Sequence, residues 1–543
     1  MVKEGKMMKE NFARWNILFV QYLKRDWKKI IVWVLGLGLF ASTLIPAMEE
    51  ITKGQGLIGM YETLQNPAMV FMVGPTPAKT ASDYSLGAMY AQEMLLFCGL
   101  FAMTLSILHV VSHTRKEEDL GLTELVRSFQ IGRQANSMAV IVETVFINVL
   151  LALLIGGVMM SFAASSISWE GSFLFGISIG LAGILGGVIG LVMAQIMPVS
   201  SAATGSSLGI MGLLYIIRGG TDISNVNLSM INPLGWTYLT NPFTQNNWTP
   251  TIYGLVFSII MVSLAFILEE ARDMGAGYLP EKEGRGEAKK SLLSVPGLFI
   301  RLNRGIIISW LIAFLLLGGA YGAIYGDIES FLDSNEIIQQ MFVHLGLSIE
   351  ESFTGTIMVV MVGLVAILPI AIVNRLFSEE RNLYLSQLYG TKVKPSQLYW
   401  TSILLAIIVS IIGILLAAGG IGGTAITVME DSSMTIYDFL AIGYNLLPTV
   451  LFFTGLAALA LGWMPRLGKV VYVYLTYSFF LDYFAGILNL SEALKNTAPQ
   501  SWLPKMPMED FDIKAFIVLT VVSLLFMVIG YLGYNRRDMV EGA

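Results

Sequence analysis

The chain has one cysteine, Cys98, and three histidines among 543 residues, and only 13% of it is charged. A lone cysteine excludes an internal disulfide and a thiolate metal site. Charge this sparse, against roughly 25% in soluble proteins, excludes an ordinary soluble domain. No GxxxxGK[ST] phosphate loop is present, since Gly468-Lys469-Val470 lacks the glycine-rich lead and the hydroxyl residue that hold phosphate and magnesium. His109 and His113 are one helical turn apart, a metal-compatible spacing, but no third ligand lies near them in sequence, so no metal site is expected. No nucleophile, base and orienting group cluster either. The chain reads as neither an enzyme nor an ATPase, with no catalytic residue and no bound cofactor of its own. The first apolar segment follows a long basic lead without a small-residue cleavage site, so no cleaved signal peptide is expected.

What is abundant is apolar sequence: 55% of the residues, with a mean hydropathy of +0.68. A bilayer core of about 30 Å takes roughly 20 apolar residues per helix. That criterion gives an all-α polytopic membrane protein with twelve transmembrane helices, as two tandem, related six-helix halves. The first half spans near 30–48, 90–111, 138–162, 173–197, 202–218 and 251–268; the second near 306–325, 353–374, 398–423, 437–462, 469–489 and 514–534. Of the 33 Lys and Arg, all but Lys53, Lys79, Arg218, Lys495, Lys505 and Lys514 fall on one side if both termini are cytoplasmic, a strong positive-inside bias. The reading is a multi-pass protein of the cell (plasma) membrane, with no nucleic-acid partner.

Residues 1–29 alternate basic and apolar side chains and suit a cytoplasmic interfacial helix. Half one then covers 30–268, a Gly- and charge-rich cytosolic linker 269–305, and half two 306–543. Span four carries Gly176, Gly180, Gly183, Gly187 and Gly190, spacings that favour close helix approach. The segments 219–250 and 490–513 are too polar to span and suit caps at the outer mouth.

The halves also repeat each other in detail. An offset of 263 lays Glu117, Leu120, Leu122 and Leu125 on Glu380, Leu383, Leu385 and Leu388, and nearly the same offset lays Arg272-Asp273-Met274 on Arg537-Asp538-Met539 and Pro233 and Trp236 on Pro499 and Trp502. The repeated polar loops, 112–137 and 375–397, mix acids and leucines at helical spacing, the make-up of a short amphipathic helix that needs a partner. Glu117, Glu118, Leu120, Glu124 and Leu125 in the first loop, and Glu379, Glu380, Leu383 and Leu388 in the second, are the candidate docking residues.

Within spans, charge is costly, roughly 2.5–3.5 kcal/mol per group at a helix centre. Asp482 lies deepest, in span eleven, facing either a path between the halves or a structural hydrogen bond to Asn445 or Tyr477. Glu143 and Glu93 lie near span ends, within reach of polar surroundings. Arg218, at the outer end of span five, is either a contact for an anionic substrate or an interfacial anchor. Asp482, Arg218 and Asn445 are the candidate substrate-path residues.

The loop RKEEDLGLTELVRSFQIGR, the outer Asn232-Pro233-Leu234-Gly235-Trp236 and the stretch ARDMGAGYLPEKEGRGEAKKSLLSVPGLFIRLNRG, with SEERNLYLSQLYG as the second loop, resemble the two-half permeases of type 2 ABC exporters, in particular the tetronasin or polyketide-antibiotic group. The resemblance covers nearly the whole chain. It implies two copies of a separate ABC ATP-binding subunit, holding ATP and Mg, docked on the two loops, and export of an amphiphilic antibiotic taken from membrane lipid. An ion-coupled secondary drug transporter is the alternative reading, and it needs buried carboxylates such as Asp482.

Overall fold

The structure is a computed structural model that describes residues 10–51, 56–65, 67–162, 166–280, 286–327, 349–429, 434–484 and 491–538. Every regular element among them is helical. The chain divides into two compact units, Met1–Glu283 and Gly284–Ala543.

The long helices of the first unit are α1 (Trp15–Thr43), α2 (Leu86–His113), α3 (Ala135–Ser161), α4 (Trp169–Ile196), α5 (Ser200–Ser224) and α6 (Thr249–Ala271). Those of the second are α7 (Val295–Ala323), α8 (Ile349–Arg381), α9 (Pro395–Val428), α10 (Ile436–Trp463, interrupted at Leu446 ahead of Pro448), α11 (Val470–Phe484) and α12 (Ile513–Arg536). Eleven of these, among the described residues, are long and apolar enough to cross a membrane. The difference from twelve is α11, only 15 residues long as described, because residues 485–490 of the expected span lie outside the described part.

The basic lead differs from expectation. From Trp15 it runs without a break into the first apolar segment, so residues 15–43 are one helix rather than an interfacial helix followed by a span. No proline or glycine falls between Trp15 and Val34 to interrupt it. The linker is likewise shorter than 269–305, since α6 continues to Ala271 and α7 begins at Val295, where Ser294 accepts a hydrogen bond from the Gly297 amide as an N-cap.

The same neighbours recur in each unit: the first helix packs on the third, the second on the fourth, the third on the fourth and the fourth on the sixth. The caps repeat too. The indole N–H of Trp236 donates to the Met230 carbonyl at 2.7 Å, and that of Trp502 to the Asn496 carbonyl at 2.9 Å, six residues back in both cases.

Close approach is built differently in the two units. In the first, Gly176 and Gly180 of α4 meet the backbone of Ala152 and Asn148 on α3, and a Cβ at Gly180 would lie 2.8 Å from the Asn148 carbonyl oxygen. In the second, Gly318 and Gly322 of α7 meet the backbone of Ala417 and Ile421 on α9. Without a water-driven force between helices in lipid, backbone proximity supplies the packing energy. Gly180→Leu should therefore lower stability by about 1–3 kcal/mol through overpacking, whereas Gly209→Leu, on an open face of α5, should not. Thermal melts of the two variants in detergent check this, and equal melting temperatures would contradict it.

Candidate functional site

The first repeated loop begins as a one-turn continuation of α2. A short helix Arg115–Asp119 is followed by Gly121 in the left-handed region (φ 73°), which turns the chain into a second short helix, Leu122–Arg127. Glycine is the residue for which that φ carries no steric cost.

Carboxylates and arginines hold this loop in place. Glu118 receives both guanidinium nitrogens of Arg272, just past the end of α6, at 2.7 and 2.6 Å, the Gly275 amide at 2.6 Å, and Arg115 at 3.2 Å. Glu118 and Arg272 are each only 8% exposed, so this is a bidentate, largely desolvated pair, the strongest form such a contact takes. These groups hold the Glu118 carboxylate in its charged form.

Further ties surround that pair. Arg115, fully buried, donates to the carbonyls of Pro198, Gly275 and Ala276. Asp119 accepts from the amide of Ser200 at the start of α5, at 2.7 Å. Glu117 accepts from Arg25 at 2.8 Å and from the Tyr22 hydroxyl at 3.3 Å, both on α1. Downstream, the amides of Gly132 and Gln134 donate to the carbonyls of Ala13 and Asn11, and Arg133 donates to the carbonyl of Arg272. The loop is thus fastened to the ends of α1, α5 and α6.

Its apolar side chains are not so engaged. Leu120 and Leu125 are each 64% exposed and Phe129 65%, with Leu122 and Glu124 exposed beside them. A row of leucines held out on a rigid, charge-anchored turn is a surface to be covered.

The second loop keeps the anchor and alters the surface. Glu380, at the end of α8, receives both guanidinium nitrogens of Arg537 at 2.7 and 2.5 Å, and Glu379 accepts from Arg375 at 3.1 Å. Leu383 takes the left-handed turn (φ 62°). By role, therefore, Glu118 corresponds to Glu380 and Gly121 to Leu383, an offset of 262 and not 263. Matching leucines had shifted the alignment by one residue. Leu383 and Tyr384 are exposed, but Leu385 is buried and Leu388 is half-buried against the core of the unit, so Leu388 presents less surface than Leu125 does. Arg272 and Arg537 had no assigned role in the sequence, although their repeated Arg-Asp-Met setting was the signal.

The candidate substrate-path residues do not form one site. Arg218 is fully buried; it pairs with Asp222 at 2.9 Å and donates to the carbonyls of Phe71 and Met72. It holds the 67–73 helix against α5, and no face is left for an anionic substrate. Asp222 in turn accepts from the hydroxyls of Ser229 (2.5 Å) and Tyr238 (2.7 Å), and burial with the Asp222 charge pushes the Tyr238 phenol above its ordinary pKa. Asn445 lies in the wall of a small pocket inside the second unit with Val359, Leu503 and Met506, and donates to the Pro504 carbonyl at 2.8 Å. The side chain of Asp482 lies outside the described residues.

Glu143 is also not where the sequence put it. Eight residues into α3, its side chain is fully buried, with Oε2 3.2 Å from His109 Nε2 and Oε1 without a hydrogen-bond partner. Through α2–α3 packing it becomes the third group beside His109 and His113 that the sequence lacked.

Paired six-helix units, each with an arginine-latched acidic loop, define a multi-pass helical membrane protein built by internal duplication. A family profile described as "Multidrug efflux system permease Rv1217c, C-terminal domain" matches residues 292–535. Over 527 residues, covering 95% of this chain and 94% of the relative, the chain is 25% identical to the multidrug efflux system permease protein Rv1217c of Mycobacterium tuberculosis (strain ATCC 25618 / H37Rv). The likeness is to a permease, a transport component rather than an enzyme.

The Glu118–Arg272 pair should be energetically coupled. In a double-mutant cycle of Glu118→Gln and Arg272→Met, the single changes should each destabilise by about 3–5 kcal/mol, with a coupling energy of about 1–3 kcal/mol. Additive losses in chemical or thermal unfolding would contradict the pairing.

Proposed function

We propose that this chain is the membrane-spanning permease of an ATP-driven exporter of the type 2 ABC class, expelling amphiphilic drugs of the polyketide or polyether type and so conferring resistance. The observation that carries the proposal is the first loop: exposed Leu120, Leu122, Leu125 and Phe129 on a turn whose carboxylates are fixed to the N-terminal third of α1, the start of α5 and the end of α6. The near full-length likeness to a multidrug efflux permease supports the same reading.

In this mechanism two copies of a separate ATP-binding subunit, carrying ATP and Mg, dock on the loops at 115–129 and 379–389. Their closure on ATP pushes the loops. Because Glu118, Asp119 and Glu117 are tied to α6, α5 and α1, the push reaches those helices as displacement rather than being lost in loop bending. The units then alternate between inward and outward openings, with both termini cytoplasmic, and substrate leaves the lipid for the outside. The second loop has fewer exposed apolar groups, so the first carries more of the docking energy.

An ion-coupled transporter is favoured by one observation, the buried Glu143 carboxylate. The two readings separate in vesicles. With the ATP-binding subunit co-expressed, a polyether ionophore should stimulate ATP hydrolysis, and Leu120→Asp with Leu125→Asp should abolish co-purification and lower stimulation at least tenfold. Substrate movement by the chain alone along a proton gradient, with no bound ATPase, would overturn the proposal.

A further inference from the structure

Outside the latch, the most unusual polar cluster of the first unit lies between α1, α2 and α3. His109 and His113 stack one turn apart on α2, ring centroids 4.2 Å apart. Glu143 on α3 faces them, and one ligand atom from each of the three residues lies within 4.8 Å of the others. His113 Nε2 is 2.8 Å from Asp26 Oδ2 on α1, and Asp26 also accepts from Lys29 and Arg25.

Charge is unevenly met here. Asp26 has two cations; Glu143, whose side chain is fully buried, has a single contact to an imidazole and a bare Oε1. A buried carboxylate with an unpartnered oxygen is costly, and costlier still at membrane depth. A cation beside two imidazole nitrogens removes that cost. The His109 Nε2 to Glu143 Oε2 separation of 3.2 Å is close to the roughly 3.3 Å that separates two donors each about 2.0–2.1 Å from a tetrahedral ion. His113 donates its Nε2–H to Asp26, the arrangement that fixes a ligating ring, and Nδ1, 2.8 Å from the Ser112 hydroxyl and 2.9 Å from the His109 carbonyl, is the nitrogen it turns to an ion.

We propose that His109, His113 and Glu143 form a site for a divalent transition-metal ion of the zinc class, with Asp26 orienting His113. Imidazole donors favour zinc, cobalt or nickel over the hard cations magnesium and calcium. A bound ion links α2 to α3 directly and to α1 through Asp26. These helices meet at the base of the latched loop, where Glu117 engages Tyr22 and Arg25 of α1, so occupancy stiffens the support of the docking surface. The site does not depend on what drives transport.

The test uses the full chain in detergent, purified on a tag without histidine and stripped with a chelator. Zn²⁺ alone, then desalting and elemental analysis, should leave about one zinc per chain, and the melting temperature should rise by several degrees. His109→Ala and Glu143→Gln should each weaken zinc binding at least tenfold, whereas Glu124→Gln on the exposed loop should not. In the wild-type chain, Co²⁺ should give the visible absorption of a four-coordinate ion, a reading independent of how well the variants fold. Zinc retained equally by wild type, His109→Ala and Glu143→Gln, or a wild type with neither retained zinc nor the cobalt band, overturns the proposal.

Discussion

A bidentate carboxylate–guanidinium pair at the end of a hydrophobic bundle organises what is distinctive in each unit. Glu118 with Arg272, and Glu380 with Arg537, join the loop after the second helix to the end of the sixth. A surface ion pair would contribute about 1 kcal/mol or less. These are largely shielded from water and geometrically matched, and removing either partner would leave a desolvated charge. The loop is consequently a rigid part of the helix framework. In the first unit its rigidity holds Leu120, Leu125 and Phe129 exposed rather than letting them fold back onto apolar helices.

The duplicated halves have diverged at the surface while keeping the anchor. Gly121 gives the first loop its left-handed turn without strain; Leu383 takes the same turn at a cost of about 1–2 kcal/mol. With that turn, Leu385 is directed inward and Leu388 against the core, which leaves a smaller apolar surface than in the first loop. The close helix contacts were likewise rebuilt, through Gly176 and Gly180 on α4 in one unit and Gly318 and Gly322 on α7 in the other. Neighbour relations among helices survived because each buries a stripe against the same partners.

Hydropathy made the helices and the all-α class legible, since 20-residue apolar runs leave few alternatives. The repeat was legible as well, to within one residue: leucine matching gave 263, whereas the turn residues Gly121 and Leu383 and the paired acids Glu118 and Glu380 give 262. What escaped was anything that needed a partner from a distant segment. The sequence leaves Arg218 as either a substrate contact or an interfacial anchor, and it is neither, because its carbonyl partners, Phe71 and Met72, come from a short helix more than 140 residues earlier. Glu143 was placed at a polar edge because its partner His109 is 34 residues away on another helix. Helix ends were misjudged for a local reason: the basic lead from Trp15 has no breaker, so it continues as α1.

Hydrogen exchange on the full chain in detergent tests most directly whether the loop after α2 is a rigid extension of the bundle. The account predicts that the amides over 114–121 and 272–276, including the Gly275 N–H bound to Glu118, exchange slowly and open together, and that Glu118→Ala accelerates both segments alike. Exchange in the wild-type loop at the rate of an unstructured peptide, unaffected by Glu118→Ala, would contradict it.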